Sequence, residues 1–99
     1  MIFMFRLFTP QNRESPRYAA LLIDMQEGFT KHLGDRLEIL VENQCRVLVY
    51  CRDQGIPAWV VESQEKYKDS NYGATISPLQ SLLETIPCPP PIIKMVVFV

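Results

Sequence analysis

A carboxylate suited to acid–base chemistry, Asp24, stands where an apolar segment ends. It follows Ala19–Ile23, an apolar run without polar alternation, which is typical of a strand covered on both faces. In open parallel sheets, ligands bind beyond the carboxyl ends of the strands, where a carboxylate is partly desolvated and available for proton transfer. Asp is also a common cap of a following helix or turn. Position alone therefore leaves both interpretations of Asp24 open.

The segment around Asp24 resembles a known enzyme family. Leu21–Phe29 reads Leu-Leu-Ile-Asp-Met-Gln-Glu-Gly-Phe, which is similar to the opening strand of the isochorismatase-like cysteine hydrolases, including the nicotinamidases. In that family this Asp is the general base of an Asp–Lys–Cys triad, and an aromatic residue shortly after it lines the substrate pocket. The resemblance therefore implies that Asp24 is a catalytic base and that Phe29 contacts a small-molecule substrate.

The resemblance extends to a lysine much later in the chain. Lys94 falls at the position of the family's catalytic lysine, which ends a strand. A cation beside Asp24 would keep that carboxylate ionised and would stabilise charge developing on the substrate. The alternative is a lysine that extends from a strand into water, which is common behaviour. The matching Asp24 favours the site interpretation.

The polar residues after the second predicted strand bear on metals and cofactors. Metal-binding nicotinamidases carry Asp and His ligands there, whereas Glu62–Glu65 contains neither, so we expect no metal and no cofactor. Glu-Ser-Gln is more similar to metal-free members, which implies that Gln64 contacts substrate. The alternative is a set of solvated loop residues, and for Ser63 and Glu65 we prefer it. His32, the one histidine, is predicted to be a solvated surface residue.

The cysteines do not supply the nucleophile that the family's mechanism requires. Cys45, Cys51 and Cys88 show no metal-ligand spacing, and each is predicted to be a small core or connector residue. None falls where the nucleophile belongs, and acyl transfer by that route needs a thiolate beside an oxyanion hole. We therefore expect the chain to be inactive alone. Three thiols without a secretory signal indicate a reducing compartment, and hence a cytoplasmic location.

The elements that must position these residues form an α/β pattern. A helix is predicted from Asp35 to Gly55, because its apolar residues recur at three- and four-residue steps, and Pro57 prevents continuation. The second strand is Ile56–Glu62, a short helix covers Leu79–Ile86, and Ile92–Val99 is the third strand. The predicted fold is a three-layer αβα, Rossmann-like parallel sheet, truncated to about three strands and two helices.

The resemblance also divides the chain. It covers Arg6 to Lys94, which corresponds to the amino-terminal half of the family's domain. We therefore expect a lead-in over residues 1–17, a partial isochorismatase-like domain over residues 18–94, and a divergent end over residues 95–99. A truncated chain, an altered reading frame and an alternative end all account for that last segment. Its apolar edge, Met95–Val99, predicts pairing with a second copy.

Composition excludes some partners and leaves two function classes. The net charge of −1, without a long block of Lys and Arg, gives no electrostatic basis for binding nucleic acid. The apolar start, Met1–Phe8, is too short to cross a membrane. One class is an isochorismatase-like hydrolase represented by its base- and lysine-bearing half. The other is a non-catalytic remnant that binds a partner protein or a small ligand through the same residues.

Overall fold

The computed structural model describes residues 1–7, 17–65 and 72–96. Four strands form one sheet in the order β1-β2-β3-β4, and three helices accompany them. The predicted α/β class is therefore confirmed. The elements are, in chain order, β1 Ile2–Leu7, β2 Arg17–Ile23, α1 Glu27–Thr30, α2 Arg36–Gln54, β3 Ala58–Glu65, α3 Ser77–Leu83 and β4 Ile92–Val96.

The central unit is the β2-α2-β3 crossover that the sequence predicts. Strands β2 and β3 are parallel, with Ala20 opposite Ala58. Helix α2 ends at Gly55, whose φ of 68° is the left-handed conformation that glycine adopts at low cost. The Ile56 N–H then donates to the Cys51 carbonyl at 2.8 Å, which closes the helix before β3 begins.

Helices α2 and α3 lie on the same face of the sheet. Because the order advances from β2 to β3 to β4 and parallel crossovers are right-handed, α2 and α3 fall on one side. The buried core joins residues of β2, β3, α2 and α3: Ala20, Leu22, Leu48, Cys51, Ala58, Val60, Leu79 and Leu83. The described residues therefore form two layers, and the second helical layer of the expected αβα arrangement is not built by them.

The amino-terminal segment corrects the expectation of a lead-in followed by an all-parallel sheet. Its β-branched and aromatic residues suit a strand, and β1 pairs antiparallel with β2, with Ile2 opposite Leu22. Ile2 packs against the core, and the Met4 and Cys51 sulfur atoms lie 3.8 Å apart. The pairing covers an edge of β2 that would otherwise expose its backbone groups. The rest of the expected lead-in, residues 8–16, lies outside the described residues.

The remaining element boundaries shift by a few residues. Strand β3 continues to Glu65, three residues beyond the predicted end. Helix α3 begins at Ser77 and ends at Leu83. Residues 97–99 of the expected third strand lie outside the described part of the chain. Among the described helices, none combines the length and apolar character needed to span a bilayer.

Candidate functional site

Asp24 occupies a special backbone position directly after β2. Its φ of 57° is the left-handed conformation, which is uncommon for a residue other than glycine and which Asp tolerates better than most. The Asp24 N–H still donates to the Val61 carbonyl at 3.0 Å, so the residue is the last one bonded into the β2–β3 ladder. The left-handed turn then ends the strand. Asp24 therefore stands at the carboxyl end of β2, beside the last residues of β3, and this end of the sheet is here called the carboxyl edge.

The Asp24 carboxylate is held from two directions. The Ser63 hydroxyl donates to Oδ1 at 2.7 Å, and the Lys94 ammonium donates to Oδ2 at 3.2 Å. Ser63 and Lys94 are opposite each other in the β3–β4 register, so both side chains project from the same face of the sheet. The structure thus brings together the acid and the lysine, which lie 70 residues apart along the chain.

The Asp24–Lys94 pair is more exposed than Ser63, the residue that holds Asp24. The Lys94 and Asp24 side chains are 48% and 31% exposed, so both remain accessible to a ligand. Ser63 is only 3% exposed, which contradicts the expectation that it is a solvated loop residue. It is buried because β3 extends past Glu62 and carries Ser63 between Asp24 and β4. The side chain of Glu65 lies outside the described residues.

Gln26 organises the backbone of the carboxyl edge, a role that its sequence context does not reveal. Its side chain is 1% exposed. Oε1 accepts from the Ser63 N–H at 2.7 Å, and Nε2 donates to the carbonyls of Ser63 at 3.0 Å and Gly73 at 2.7 Å. The Gln26 amide therefore replaces the backbone that β2 would have offered to β3 had the strand continued. It satisfies buried groups that would otherwise lack partners.

A second set of contacts fixes residues 72–76 against the same edge. The Glu62 carboxylate accepts from the Thr75 N–H at 2.7 Å and from the Thr75 hydroxyl at 2.8 Å. The Ile76 N–H donates to the Met25 carbonyl at 2.9 Å. Glu62, the predicted last residue of the second strand, therefore has a structural partner. The contacts hold the chain that leads into α3.

Phe29 lies on α1 beside the carboxyl edge and stacks on another aromatic ring. The rings of Phe29 and Tyr72 have centroids 4.1 Å apart and planes 22° apart. The Gly28 N–H donates to the Tyr72 carbonyl at 2.8 Å, and a Cβ on Gly28 would come within 2.9 Å of the Tyr72 backbone. This glycine is required by close approach of two chain segments, which the sequence alone does not show.

Two residues singled out from the sequence are not brought to the Asp24–Lys94 pair. Gln64 is exposed and lies opposite Met95 in the register, so strand alternation directs it to the other face of the sheet from Ser63. His32 is exposed in the turn after α1, as its interpretation as a surface residue requires. Within the described ranges, no group of three or more His, Cys, Asp and Glu side chains is arranged to hold a metal ion.

The thiols are not activated. Burial raises the pKa of Cys45, Cys51 and Cys88 above the ordinary value of 9.0. A nucleophilic cysteine needs the opposite shift, which comes from nearby positive charge. At the Asp24 end, the amino group of Met1 donates to the Ile23 carbonyl at 3.0 Å. Burial lowers the pKa of that amino group, and the negative charge of Asp24 partly opposes the shift.

These features define a class of site: a carboxylate and a lysine paired at the carboxyl edge of a small mixed α/β sheet. No family model, no curated protein and no solved structure matches this chain. A functional assignment must therefore start from the residues of the carboxyl edge and their geometry.

Proposed function

We propose that this chain carries the ligand-binding, acid–base part of an isochorismatase-like hydrolase site and binds a small carboxamide without hydrolysing it. The observation that carries the proposal is the pair formed by Asp24 Oδ2 and Lys94 Nζ at 3.2 Å. A carboxylate beside an ammonium offers one acceptor and one donor. A primary carboxamide presents the complementary N–H donor and carbonyl acceptor.

The pair can open to admit such a ligand. Exposed ion pairs contribute only about 0–1 kcal/mol, because water screens them and both side chains lose freedom. The exposed fractions of Lys94 and Asp24, 48% and 31%, place this pair near that range. The Ser63 hydroxyl holds Oδ1 independently of Lys94, so Asp24 stays oriented when Lys94 moves to a ligand.

The absence of turnover follows from the thiols. Hydrolysis by the family's route requires Asp24 to take a proton from a cysteine that attacks the carbonyl carbon. Cys51 is buried against Met4, and Cys88 lies in a proline-rich connector with its thiol directed to the Pro89 carbonyl. Neither thiol contacts Asp24, and burial raises the pKa of both. A base and a cation without a thiolate leave the reaction without its first step.

Nicotinamide and isochorismate serve as probes. We expect nicotinamide to produce saturable chemical-shift changes at the Ser63 and Lys94 amides, with no release of ammonia and no product from isochorismate. Asp24→Asn and Lys94→Gln should abolish the changes. Asp53→Asn and Lys31→Gln, at exposed positions, are the matched controls. Turnover that depends on Asp24 would instead show an active hydrolase, and absence of any saturable change would refute the proposal.

The second candidate function is a non-catalytic remnant that binds a protein, and the exposed β4 edge favours it. Ile92, Ile93 and Met95 are 53%, 51% and 51% exposed, on a strand whose outer backbone groups face away from β3. We propose that this edge pairs with a second copy of the chain. Three free thiols further support a reducing, cytoplasmic location.

A further inference from the structure

A cavity of about 660 Å³ lies at the opposite end of the sheet from Asp24. Its lining includes Arg17, Tyr18, Tyr50, Gln54, Pro57 and Trp59. We propose that this cavity binds a planar aromatic ligand that carries a carboxylate. The volume falls within the roughly 300–1,000 Å³ of small-molecule sites. Asp24 lies seven positions after Arg17 along the extended strand, about 23 Å at about 3.3 Å per residue, so the two sites are distinct.

The cavity exists because β2 begins before β3 does. Ala20 is opposite Ala58, the first residue of β3, so Arg17–Ala19 extend beyond the end of their parallel neighbour. On the other side these residues are paired with β1. The end of α2, at Tyr50 and Gln54, closes the remaining side. The cavity is therefore a notch at the amino ends of the strands, bounded by three elements and open to solvent.

Two donors face this notch. The Ala20 N–H points towards β3 and donates to the Pro57 carbonyl. The Ile23 N–H points the other way, towards β1, and donates to the Met1 carbonyl. Alternation along the strand therefore directs the Tyr18 N–H to the β3 side, where β3 has not yet begun. Arg17 lines the cavity and forms no ion pair with any described residue. A guanidinium and a backbone N–H together suit the two oxygens of a carboxylate.

The remaining walls suit an aromatic ring. Tyr18 and Tyr50, which are 40% and 55% exposed, line the notch on the helix side of the sheet, whereas strand alternation places Trp59 on the opposite face with Arg17. Offset or edge-to-face contacts with a ligand ring would bury this area. The carboxyl end of α2 carries the negative end of the helix dipole, which disfavours an anion nearby. The N–H groups of Gly55 and Ile56 donate to the last carbonyls of α2 and so reduce this effect. The ring therefore faces the aromatic walls while the carboxylate faces Arg17.

Trp59 is the single tryptophan, so its indole N–H gives one resonance that reports on this cavity. We expect benzoate to shift that resonance saturably in the millimolar range. Benzamide lacks the charge and cyclohexanecarboxylate lacks the ring, and each should bind more weakly. Arg17→Gln should weaken benzoate binding by roughly threefold to fivefold, as for an exposed charge contact. Arg46→Gln, an exposed arginine on α2, should leave it unchanged.

Equal responses to benzoate and benzamide, or an Arg17→Gln protein that binds benzoate as well as the Arg46→Gln protein, would overturn the proposal. So would the absence of any saturable shift. Asp24→Asn separates the two sites, because it should abolish the response to nicotinamide at Ser63 and leave the response of Trp59 to benzoate intact. Loss of the Trp59 response in Asp24→Asn would also contradict two distinct sites.

Discussion

Gln26→Ala tests how the carboxyl edge is held together. The substitution removes an amide that is 1% exposed and makes three hydrogen bonds, two of them with the backbone of Ser63. Because β2 has already turned away at Asp24, no other strand backbone replaces the amide on that side of Ser63. The N–H and carbonyl of Ser63 would then be buried without these partners.

The expected loss is large relative to the stability of a chain of this size. Each hydrogen bond contributes about 0.5–1.5 kcal/mol, and a buried group left unpaired costs about 1–3 kcal/mol. We therefore expect Gln26→Ala to lower the free energy of unfolding by roughly 3 kcal/mol. At roughly 0.05–0.15 kcal/mol per residue, the free energy of unfolding of a small domain is only about 5–15 kcal/mol. The substitution removes a substantial part of it.

Urea unfolding measures this effect. With a slope of about 1.5 kcal/mol/M, the midpoint should fall by about 2 M. Gln80→Ala removes the same atoms from an exposed site on α3 and should change stability by less than about 0.5 kcal/mol. Gln26→Glu keeps the side-chain volume but loses the donor, and should destabilise at least as strongly as Gln26→Ala. A Gln26→Ala midpoint equal to that of Gln80→Ala would refute this account of the edge.

Three further predictions concern other parts of the fold. Gly28→Ala should lower stability by about 1–2 kcal/mol, seen as a lower Tm, because its Cβ would come within 2.9 Å of the Tyr72 backbone. Burial raises the pKa of Cys51 above 9.0, so the Cys51 thiol ionises at lower pH in the unfolded chain than in the folded one. The urea midpoint should therefore stay constant below pH 9.0 and fall as pH rises through the raised pKa. An unchanged midpoint at about pH 10 would contradict this. Ile93→Lys should reduce self-association measured by light scattering, because a charge blunts an edge strand, whereas Ile39→Lys, on an exposed helix surface, should not. Equal association of the two variants would argue against edge pairing.

The spacing of apolar residues, together with the residues that end each element, was enough to predict β2 and α2. The unbroken apolar run before Asp24 is a central strand, and the three- and four-residue spacing of α2 with its stop at Gly55 is reproduced. Asp24 directly follows β2, as predicted, whereas Lys94 does not end its strand: it is the third residue of β4, and the register that sets it opposite Ser63 brings it to Asp24. Their catalytic roles stay predictions.

Long-range pairing explains what was missed. The sequence predicts a lead-in where β1 forms, because a short apolar segment becomes a strand only when a neighbour such as β2 offers it an edge. β3 extends past its predicted end because the polar residues Glu62, Ser63 and Gln64 find partners in Thr75, Asp24 and β4. The role of Gln26 depends on the left-handed turn at Asp24. No local pattern encodes these contacts between distant segments.

The central claim is that one carboxylate, Asp24, is shared by Ser63 and Lys94 at the carboxyl edge. Its most direct test is the ¹³C chemical shift of the Asp24 side-chain carboxyl group at neutral pH in four proteins. The claim predicts that Ser63→Ala and Lys94→Met each move this resonance from its wild-type position, while Gln64→Ala leaves it in place. A resonance that is unchanged in Lys94→Met, or that moves as far in Gln64→Ala, would contradict it.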